Sequence, residues 1–420
     1  MFDVKIIREN KEVVVSNTKK RGYDVKLVEV AFKLDEEWRS LKKKTDDLRR
    51  ERNLVSQEIN TLKKAGKDAS VAMKKAKEIP VKLQETEEKA KLLEVKRDET
   101  LKRIPNILHA DVPIGKDESE NVVRKTWGKA EPKPFPTKPH SEFLEQVGLA
   151  DFDASARVAG KGFYYLKGDL ALLNQALIQF SIQHLVKKGY QYLEPPLMTR
   201  RSVMDGMVSF EEFDNMIYKI DGEDLYLIGT SEHSIGGMFM DQTIEELPLK
   251  VTGYSMCFRK EIGSHGIDEK GLFRTHQFNK VEQFIFCKPE DSWKAFDELL
   301  KNTEEIMQAL EIPYHVLEMC TGDLGVMKAR QYDVEAWFPH QKEYKEVGSC
   351  SNLTDHQARR LNIRYRKKDA TEYVHTLNNT AMATSRMMIA FVENHLQNDG
   401  SIKIPKALQP FFGKKEIRTK

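Results

Sequence analysis

Charged residues surround the glycine-rich centre of residues 258–286, FRKEIGSHGIDEKGLFRTHQFNKVEQFIF. The apolar ends of this stretch alternate like strands, and side chains two residues apart on a strand share a face. Arg259 is therefore expected to accompany Glu261, and Lys280 to accompany Glu282. One interpretation is a network of ion pairs on a solvent-facing sheet. The other is a site for a phosphorylated substrate, because a guanidinium group can bind two phosphate oxygens at once.

Three segments outside this stretch carry groups that match such a site. They are Thr230 and Glu232 in TSE, Glu346 and Ser349 in EVGSCSN, and Thr380 and Arg386 in NNTAMATSR. Carboxylate and hydroxyl oxygens suit a hard divalent metal, so Glu346 and Ser349 are candidate ligands. Arg259, Arg274 and Arg386, together with several carboxylates, suit ATP with Mg²⁺. Thr380 also fits a helix N-cap.

The chain length and composition limit the possible classes of protein. At 420 residues, the chain exceeds the size at which one hydrophobic core usually stops growing, so two domains are expected. The formal net charge of +3 excludes a uniformly basic nucleic-acid coat. There is no apolar run of about 18 residues, and MFDVKIIREN lacks the apolar core of a signal peptide, so we predict a cytoplasmic protein without a membrane span. Cys257, Cys287, Cys320 and Cys350 form no CxxC pair, which favours buried, reduced thiols.

The candidate site residues lie in a region whose pattern is typical of a domain with both helices and strands. The predicted elements are helices over 170–189 and 289–310, strands over 190–200, 224–230, 249–261 and 276–287, and a final strand that leads into a helix capped by Gly400. The two long strands on either side of the glycine-rich loop favour an antiparallel sheet.

The N-terminal region has a different pattern, with apolar residues repeated every seven positions. One series is Leu34, Leu41, Leu48, Val55 and Leu62, and a weaker series is Ala31, Trp38, Thr45, Arg52 and Ile59. A turn at 65–70 separates this segment from a second helical stretch that ends near Ile104. Two helices that bury each other's apolar stripe form an antiparallel hairpin, which we place over residues 27–104 and call the hairpin arm. Each helix would be on the order of 55 Å long, so the arm is expected to project into solvent.

Basic residues are frequent towards the tip of the hairpin arm. Candidate nucleic-acid contacts are Lys42, Arg49, Arg50, Lys63 and Lys74. The alternative is the ordinary charged surface of a coiled coil. We divide the chain into an N-terminal domain over 1–110, a linker over 111–139 and a catalytic domain over 140–420.

The motifs together resemble those of the class II aminoacyl-tRNA synthetases, and within that class the seryl-tRNA synthetases of the standard type without zinc. The resemblance covers nearly the whole chain. It rests on the hairpin arm, FRKE...GLFRTHQFNKVEQF, EVGSCSN, ARR with the following NIRYR, and TLNNTAMATSR...ENH. It implies an α+β fold, with an antiparallel sheet flanked by helices and an N-terminal helical hairpin.

The resemblance also implies roles for single residues. Arg259 resembles the arginine that contacts the α-phosphate and the amino-acid carboxylate. Glu261 resembles the acceptor for the adenine amino group, and Phe278 resembles the ring beneath the base. Arg274 and Arg386 resemble the pair at the terminal phosphates, and Glu346 and Ser349 resemble the metal ligands. Glu282 and Thr380 resemble the residues that bind the serine hydroxyl, Thr230 and Glu232 would bind its ammonium group, and Asn378 would help to position it. Phe278 also fits an ordinary core residue, and the role of His233 stays open.

The activity that the resemblance implies is ATP-dependent formation of seryl-adenylate and transfer of the seryl group to tRNA(Ser), with tRNA(Sec) as a further candidate acceptor. The implied cofactor is Mg²⁺, with no zinc. A homodimer with Pro196 in its interface is also implied, as is contact between the loop 263–271 and the acceptor end of tRNA. Two alternatives are a paralogue that charges a carrier protein and a noncatalytic RNA-binding protein. The first is expected to lack the basic arm, and the second to have lost Arg259, Glu282 or Arg386.

Overall fold

The computed structural model describes residues 1–209, 216–261 and 270–419. The chain divides into two compact units, Met1–Pro105 and Asn106–Lys420. The helices are α1 (Val4–Lys20), α2 (Lys26–Lys64), α3 (Ser70–Arg103), α4 (His140–Gln146), α5 (Phe152–Ala159), α6 (Gly168–Lys187), α7 (Arg201–Met207), α8 (Ser231–Met238), α9 (Ser292–Ala309), α10 (His356–Leu361), α11 (Thr384–His395) and α12 (Gln409–Phe412).

The strands complete the secondary structure of the described residues. They are β1 (Val122–Trp127), β2 (Ala150–Asp151), β3 (Tyr165–Leu166), β4 (Gln191–Leu193), β5 (Met198–Thr199), β6 (Tyr226–Leu227), β7 (Thr243–Ile244), β8 (Leu249–Phe258), β9 (Gln277–Cys287), β10 (Tyr314–Glu318), β11 (Arg330–Phe338), β12 (Glu343–Asn352), β13 (Arg364–Lys367), β14 (Ala370–Tyr373), β15 (His375–Ala383), β16 (Ile402–Lys403) and β17 (Glu416–Ile417). None of the described helices has the length and apolar content that a membrane span requires.

The N-terminal unit contains the predicted helical hairpin. Helix α2 has 39 residues and α3 has 34, and the two helices pack along each other. Ala31, Thr45, Leu48 and Val55 are buried on α2, and all four belong to the predicted seven-residue series. Arg52, in the weaker series, is exposed. The apolar seam therefore holds the two helices together, and α2 alone spans about 58 Å.

A buried carboxylate that the apolar pattern did not reveal joins the three N-terminal helices. The side chain of Asp35 on α2 is only 1 % exposed. Arg8 of α1 donates hydrogen bonds to it at 2.6 and 2.7 Å, and Arg39 donates one at 2.9 Å. The guanidinium of Arg97 on α3 lies 3.6 Å from the same carboxylate and 4.3 Å from the centre of the Trp38 ring. Because a buried charge is costly unless it is paired, this cluster favours one register of the three helices.

Replacing Asp35 by alanine is expected to lower the local free energy of unfolding of α1–α3 by about 2 kcal/mol, because three arginines lose their common partner. A change of that size corresponds to roughly 30-fold faster amide exchange. Hydrogen exchange of peptides from α1, α2 and α3 measures it in the full-length protein. Glu29→Ala is the control, since it removes only the exposed Lys11–Glu29 pair and should cost less than about 0.5 kcal/mol. Equal exchange rates in both variants would contradict a stabilising role for the cluster.

An eight-stranded sheet forms the centre of the described part of the second unit, in the order β1-β10-β11-β12-β15-β9-β8-β4. Neighbouring strands are antiparallel, except that β4 is parallel to β8 at one edge. The two strands that flank the glycine-rich loop pair as predicted, with Cys257 opposite Phe278 and Gly253 opposite Glu282. The prediction of an antiparallel sheet flanked by helices is confirmed.

Side chains of β9 alternate between two apolar clusters, which places its charged residues. Val281 and Ile285 belong to the larger cluster, which includes residues of α6, α9 and α11. Phe284 and Phe286 belong to a second cluster with residues of α7, α8 and α10. Because alternate residues share a face, the face of Phe284 and Phe286 continues through Glu282 and Lys280. Lys280 and Glu282 are therefore on the side of β9 that borders a cavity.

Several boundaries differ from the sequence predictions. The segment 111–139, predicted as a linker, contributes β1, which pairs with β10 at the edge of the sheet. Helix α11 begins at Thr384 and ends at His395, so neither a Thr380 N-cap nor a Gly400 cap is present, and Thr380 lies on β15. Strand β8 ends at Phe258, and Glu261 has a φ of 48°, so Arg259 and Glu261 do not continue a regular strand. All four cysteines are free and buried, as predicted.

Candidate active site

Two adjoining cavities lie against the sheet, where the first half of β9 meets β12 and β15. The larger cavity has a volume of about 320 Å³ and the smaller about 80 Å³. Four residues line both cavities, namely Arg259, Lys280, Glu346 and Thr380. A volume of this size with mostly polar side chains suits a small charged ligand. The shared residues mark the place where two bound molecules would meet.

The cavities bring together nearly all the predicted site residues. The larger cavity is lined by Thr230, Glu232, Arg259, Glu282, Glu346, Ser349, Asn378 and Thr380. The smaller cavity is lined by Arg259, Glu261, Phe278, Glu346, Thr380 and Arg386. Arg274 is exposed and lines neither cavity. The loop predicted to contact tRNA, Gly263–Gly271, lies largely outside the described residues.

The start of α8 positions the TSE segment against the sheet. The Oγ1 atom of Thr230 accepts a hydrogen bond from the backbone N–H of Glu232 at 3.3 Å, which caps the helix. Opposite the helix, a Cβ atom at Gly253 would lie 2.8 Å from the Ile235 side chain and 3.0 Å from that of Ser231. Glycine therefore lets α8 approach β8 closely, so that Thr230 and Glu232 reach the larger cavity.

Glu282 is the most deeply buried carboxylate of the larger cavity, with a side chain 1 % exposed. The Nζ atom of Lys280, two residues away on the same face of β9, lies 2.5 Å from its Oε2 atom. Thr230 donates a longer hydrogen bond to the same oxygen, at 3.5 Å. Burial raises the pKa of Glu282, although Lys280 opposes the shift. The predicted ion pair exists, but it lies in the cavity wall rather than on a solvent-facing sheet.

Arg259 is held where the two cavities meet. Its Nε atom donates a hydrogen bond to the carbonyl of Gly229 at 3.2 Å, and its guanidinium lies 5.3 Å from the centre of the Phe278 ring. Phe278 is buried, and it also lines the smaller cavity. The carbonyl of Arg259 accepts a hydrogen bond from Nδ1 of His276 at 2.9 Å. These contacts fix the backbone and the side chain of Arg259 together.

Arg386 approaches the smaller cavity from the first turn of α11. It donates hydrogen bonds to the carboxylate of Glu346 at 2.9 Å and to the carbonyl of Phe273 at 3.2 Å, and it lies 4.8 Å from the centre of the Phe273 ring. Burial would raise the pKa of Glu346, but the charge and hydrogen bond of Arg386 outweigh burial and hold this pKa below its usual value. Glu346 is therefore ionised at neutral pH.

The surroundings of Glu346 and Ser349 fit a hard cation. Ser349 Oγ is buried and forms no hydrogen bond of ordinary geometry among the described residues, although it lies near enough to Asp333 to favour the ionised form of that carboxyl. A hydroxyl that donates to a carboxylate keeps its lone pairs for a cation. Asp333 lies opposite Ser349 on β11, and burial together with the charge of Glu346 raises its pKa to about 7. A cation bound between the carboxylates of Asp333 and Glu346 would reduce the repulsion between them. Within the described ranges, no group of three His, Cys, Asp or Glu side chains is placed to hold a metal ion.

The pKa values of two neighbouring residues of α8, Glu232 and His233, are shifted in opposite directions. Burial raises the pKa of Glu232 to about 7, and the charge of Glu282 adds to the shift. Burial, followed by the charges of Arg259 and Lys280, lowers the pKa of His233 to about 3. His233 is therefore neutral at pH 7, and its Nδ1 accepts a long hydrogen bond from Gly229 N–H at 3.4 Å.

Sequence reasoning missed several residues of the larger cavity wall and its support. Asp333 and Gln331 line the cavity, and Gln331 donates a hydrogen bond to Asp333 at 2.6 Å. Gln357 lies just behind the wall and donates to Glu232 at 2.7 Å. The alternating pattern of QYDVEAWF places Gln331 and Asp333 on one face of a strand, and it is the only sequence signal that could have suggested these two residues. No motif spacing indicates Gln357.

Comparison with known protein families matches both units. Residues 216–395 match the tRNA synthetase class II core domain (G, H, P, S and T). Residues 1–108 match the seryl-tRNA synthetase N-terminal domain. The two matches cover the candidate active site and the hairpin arm, respectively.

Individual relatives are similar over the full length. The serine-tRNA ligase of Methanocella arvoryzae is 48 % identical over 419 residues, which is 98 % of this chain and 99 % of the relative. A crystal structure of seryl-tRNA synthetase from Pyrococcus horikoshii complexed with ATP is 45 % identical, with a TM-score of 0.95 and complete coverage of both chains. The cytoplasmic serine-tRNA ligase from Naegleria fowleri in complex with AMP is 33 % identical, with a TM-score of 0.90 over 100 % of this chain and 99 % of that one.

Proposed function

The chain belongs to the seryl-tRNA synthetase family of class II enzymes, and from this membership we propose that it activates L-serine with ATP and transfers the seryl group to tRNA(Ser). The single observation that carries the assignment of roles is the meeting of two cavities at Arg259. One cavity has the polar groups that serine requires, and the other has an aromatic ring and an arginine suited to a nucleotide.

In this proposal, serine binds in the larger cavity. Its hydroxyl faces Glu282 and Thr380, whose side chains occupy paired positions on β9 and β15. Its ammonium group faces Thr230 and Glu232, and Asn378 helps to position it. An apolar pocket discriminates poorly between small amino acids, whereas a site that hydrogen-bonds a hydroxyl leaves buried polar groups unpaired when the hydroxyl is missing.

Glu282→Gln is expected to lower kcat/KM for serine by on the order of 100-fold, because the charged acceptor for the hydroxyl is lost. Activity with alanine, which has no hydroxyl, should change little, so discrimination between the two amino acids falls. Amino-acid-dependent pyrophosphate exchange measures both values. The matched control is Glu298→Gln, since Glu298 pairs with Lys250 at 2.8 Å and lines neither cavity. Unchanged discrimination in Glu282→Gln would contradict the assignment of the hydroxyl site.

In this proposal the nucleotide lies along the smaller cavity, which is too small to enclose it, so part of the nucleotide stays outside the cavity. The adenine stacks on Phe278, and its amino group faces Glu261. Arg259 binds the α-phosphate, and Arg386 binds the terminal phosphates. Arg274 is proposed as a second ligand of the terminal phosphates, which requires its exposed side chain to turn towards the cavity when ATP binds. Its neighbours Phe273 and Thr275 already line that cavity.

Mg²⁺ is the proposed cofactor, held by Glu346 and Ser349. Both side chains present oxygen atoms to the larger cavity, and oxygen atoms are the ligands that Mg²⁺ prefers. A bound Mg²⁺ ion would offset the negative charge of the phosphates.

The reaction has two steps, and neither needs a protein nucleophile. In the first step, a carboxylate oxygen of serine forms a bond to the α-phosphorus of ATP, and the bond to the β-phosphate oxygen breaks to release pyrophosphate. Arg259 lies between the two cavities, where it can orient the attacking carboxylate and stabilise charge on the α-phosphate. In the second step, a hydroxyl of the terminal ribose of tRNA attacks the seryl carbonyl, and AMP leaves.

Recognition of tRNA is assigned to the hairpin arm, through its shape and its basic side chains. Lys42, Arg49, Arg50, Lys63 and Lys74 are all exposed. Arg49 also forms an ion pair with Glu87 at 2.8 Å, so it is the least available of the five for phosphate. The acceptor is tRNA(Ser), and tRNA(Sec) is a further candidate. We also propose a cytoplasmic location, where tRNA is charged for translation.

A homodimer is proposed, with Pro196 and part of α6 in the interface. Exposed apolar side chains of this region, Leu172, Leu197 and Met198, support a protein contact there. A symmetric dimer would let the arm of one subunit bind tRNA whose acceptor end enters the active site of the other. Sedimentation of the purified protein tests the dimer directly.

Charging of tRNA tests the complete reaction. Purified protein with ATP, Mg²⁺ and labelled serine should attach serine to a tRNA(Ser) transcript but not to a tRNA with a short variable arm. Charging of neither transcript, with serine activation intact, would favour the paralogue that charges a carrier protein. That alternative is disfavoured by the basic arm, and a noncatalytic protein is disfavoured by the retained Arg259, Glu282 and Arg386.

A further inference from the structure

Gln357 links the wall of the larger cavity to the sheet behind it. The residue lies on α10 and is completely buried. Its Nε2 atom donates hydrogen bonds to the Glu232 carboxylate at 2.7 Å and to the carbonyl of Met207 at 3.3 Å. On the other side, its Oε1 atom accepts a hydrogen bond from the hydroxyl of Thr376, on β15, at 2.8 Å. The side-chain amide therefore has a partner for each of its polar atoms.

The hydrogen bonds allow only one orientation of this amide. A backbone carbonyl can only accept hydrogen bonds, so the amide nitrogen must face Met207, and its second N–H group then points at Glu232. Its oxygen then faces the hydroxyl of Thr376, which donates. Any rotation of the carboxylate of Glu232 away from the amide would leave a buried N–H group without its partner, which is unfavourable.

Based on these contacts, we propose that Gln357 is a positioning residue for serine binding, which holds the Glu232 carboxylate as an oriented acceptor for the α-ammonium group. The inference deepens the proposed function and rests on it. Gln357 is not a catalytic residue, because it contacts Glu232 rather than the space where the substrate would lie.

The charges around Glu232 make this hydrogen bond important near neutral pH. Burial and the charge of Glu282 favour the protonated form of Glu232, whereas Gln357, Lys280 on β9 and Lys328 before β11 favour the ionised form. The pKa of about 7 reflects the balance of these groups. A protonated Glu232 binds an ammonium group poorly. Serine binding should therefore strengthen as the pH rises through about 7, and loss of the Gln357 hydrogen bond should move this rise to higher pH.

The test is the pH dependence of serine-dependent pyrophosphate exchange in the full-length protein. The acidic limb is the pH range over which kcat/KM for serine rises as Glu232 ionises. For Gln357→Leu, we expect this limb to shift to higher pH by about one unit, which corresponds to a roughly tenfold higher KM at pH 6.5. The kcat value at saturating serine should change by less than about threefold, because the residue acts on binding. Gln357→Met has a side chain of similar length and removes the donor, so it should shift the limb in the same direction even if the leucine variant folds poorly.

A matched control separates positioning from general loss of packing. Asn302 on α9 is another buried amide, which donates to Gln283 at 2.8 Å, and it lines neither cavity. Asn302→Leu should leave the pH profile unchanged. The proposal is overturned if both Gln357 variants have the wild-type profile, or if Asn302→Leu causes the same shift. No serine-dependent exchange by the wild-type protein would instead overturn the proposed function, and this inference with it.

Discussion

Alanine at position 259 is expected to reduce serine-dependent pyrophosphate exchange by on the order of 10³-fold or more, while tRNA binding persists. Arg259 is one of four residues that line both cavities, and its guanidinium is held by Gly229 and Phe278. In the proposed function, its removal takes away the group that orients the serine carboxylate and stabilises the α-phosphate. The proposed tRNA contacts on the hairpin arm belong to the other unit of the chain, so they are left intact.

Two measurements separate these roles. Pyrophosphate exchange reports adenylate formation, and filter binding of tRNA(Ser) reports recognition. Arg124→Ala is the control for loss of an arginine from the same unit, because Arg124 pairs with Glu318 outside both cavities and Arg330 remains as a partner of Glu318. Equal loss of exchange and tRNA binding in a folded Arg259→Ala protein would contradict the separation.

The second large effect is expected from shortening the hairpin arm. Deleting residues 47–64 and 70–87 removes about five turns from each helix and retains the turn at 65–69. Asp35, Arg8 and Arg97 remain, so the cluster that joins the three helices is preserved. Serine-dependent exchange should stay within about twofold of the wild-type value, whereas charging of tRNA(Ser) should fall by on the order of 10³-fold, because most of the proposed phosphate contacts are removed.

Substitutions of basic residues in the arm test whether their positive charge is what tRNA binding requires. Replacing Arg50, Lys63 and Lys74 by glutamine retains the helices and should weaken tRNA binding while reducing its dependence on salt. The same replacement at Arg49 alone should have less effect, since Arg49 is already paired with Glu87. Normal charging by the shortened protein would refute the role of the arm.

Much of the architecture could be predicted because burial leaves a periodic pattern. The seven-residue series identified the hairpin because the apolar side chains between α2 and α3 recur at that spacing. Strand β1 was missed because it lies at a sheet edge. In β1, Val122 and Trp127 are half-buried and the four residues between them are exposed, so VVRKTW has no apolar alternation. Asp35 was missed because it belongs to neither seven-residue series, and charged residues outside the apolar seam of a coiled coil are ordinarily exposed.

The candidate site was predictable where short motifs carry the chemistry. Thr230, Glu282 and Arg386 come from distant segments, and their motifs identified them before the fold was considered. Gln357 and Asp333 could not be identified in this way, because their contacts depend on how separate elements pack. The register of β11 against β12 places Asp333 opposite Ser349, and the packing of α10 beside α8 places Gln357 behind Glu232. Neither contact is indicated by a characteristic spacing of residues in the sequence.

Serine activation is measured directly by exchange of pyrophosphate into ATP with each amino acid in turn, with Mg²⁺ and without tRNA. The wild-type protein should catalyse exchange with serine, with alanine and threonine far below it. Such a result would locate amino-acid activation in this chain and leave the choice of tRNA to the charging assay. If a folded protein catalysed no exchange with any amino acid, the assignment of serine activation to this chain would be wrong.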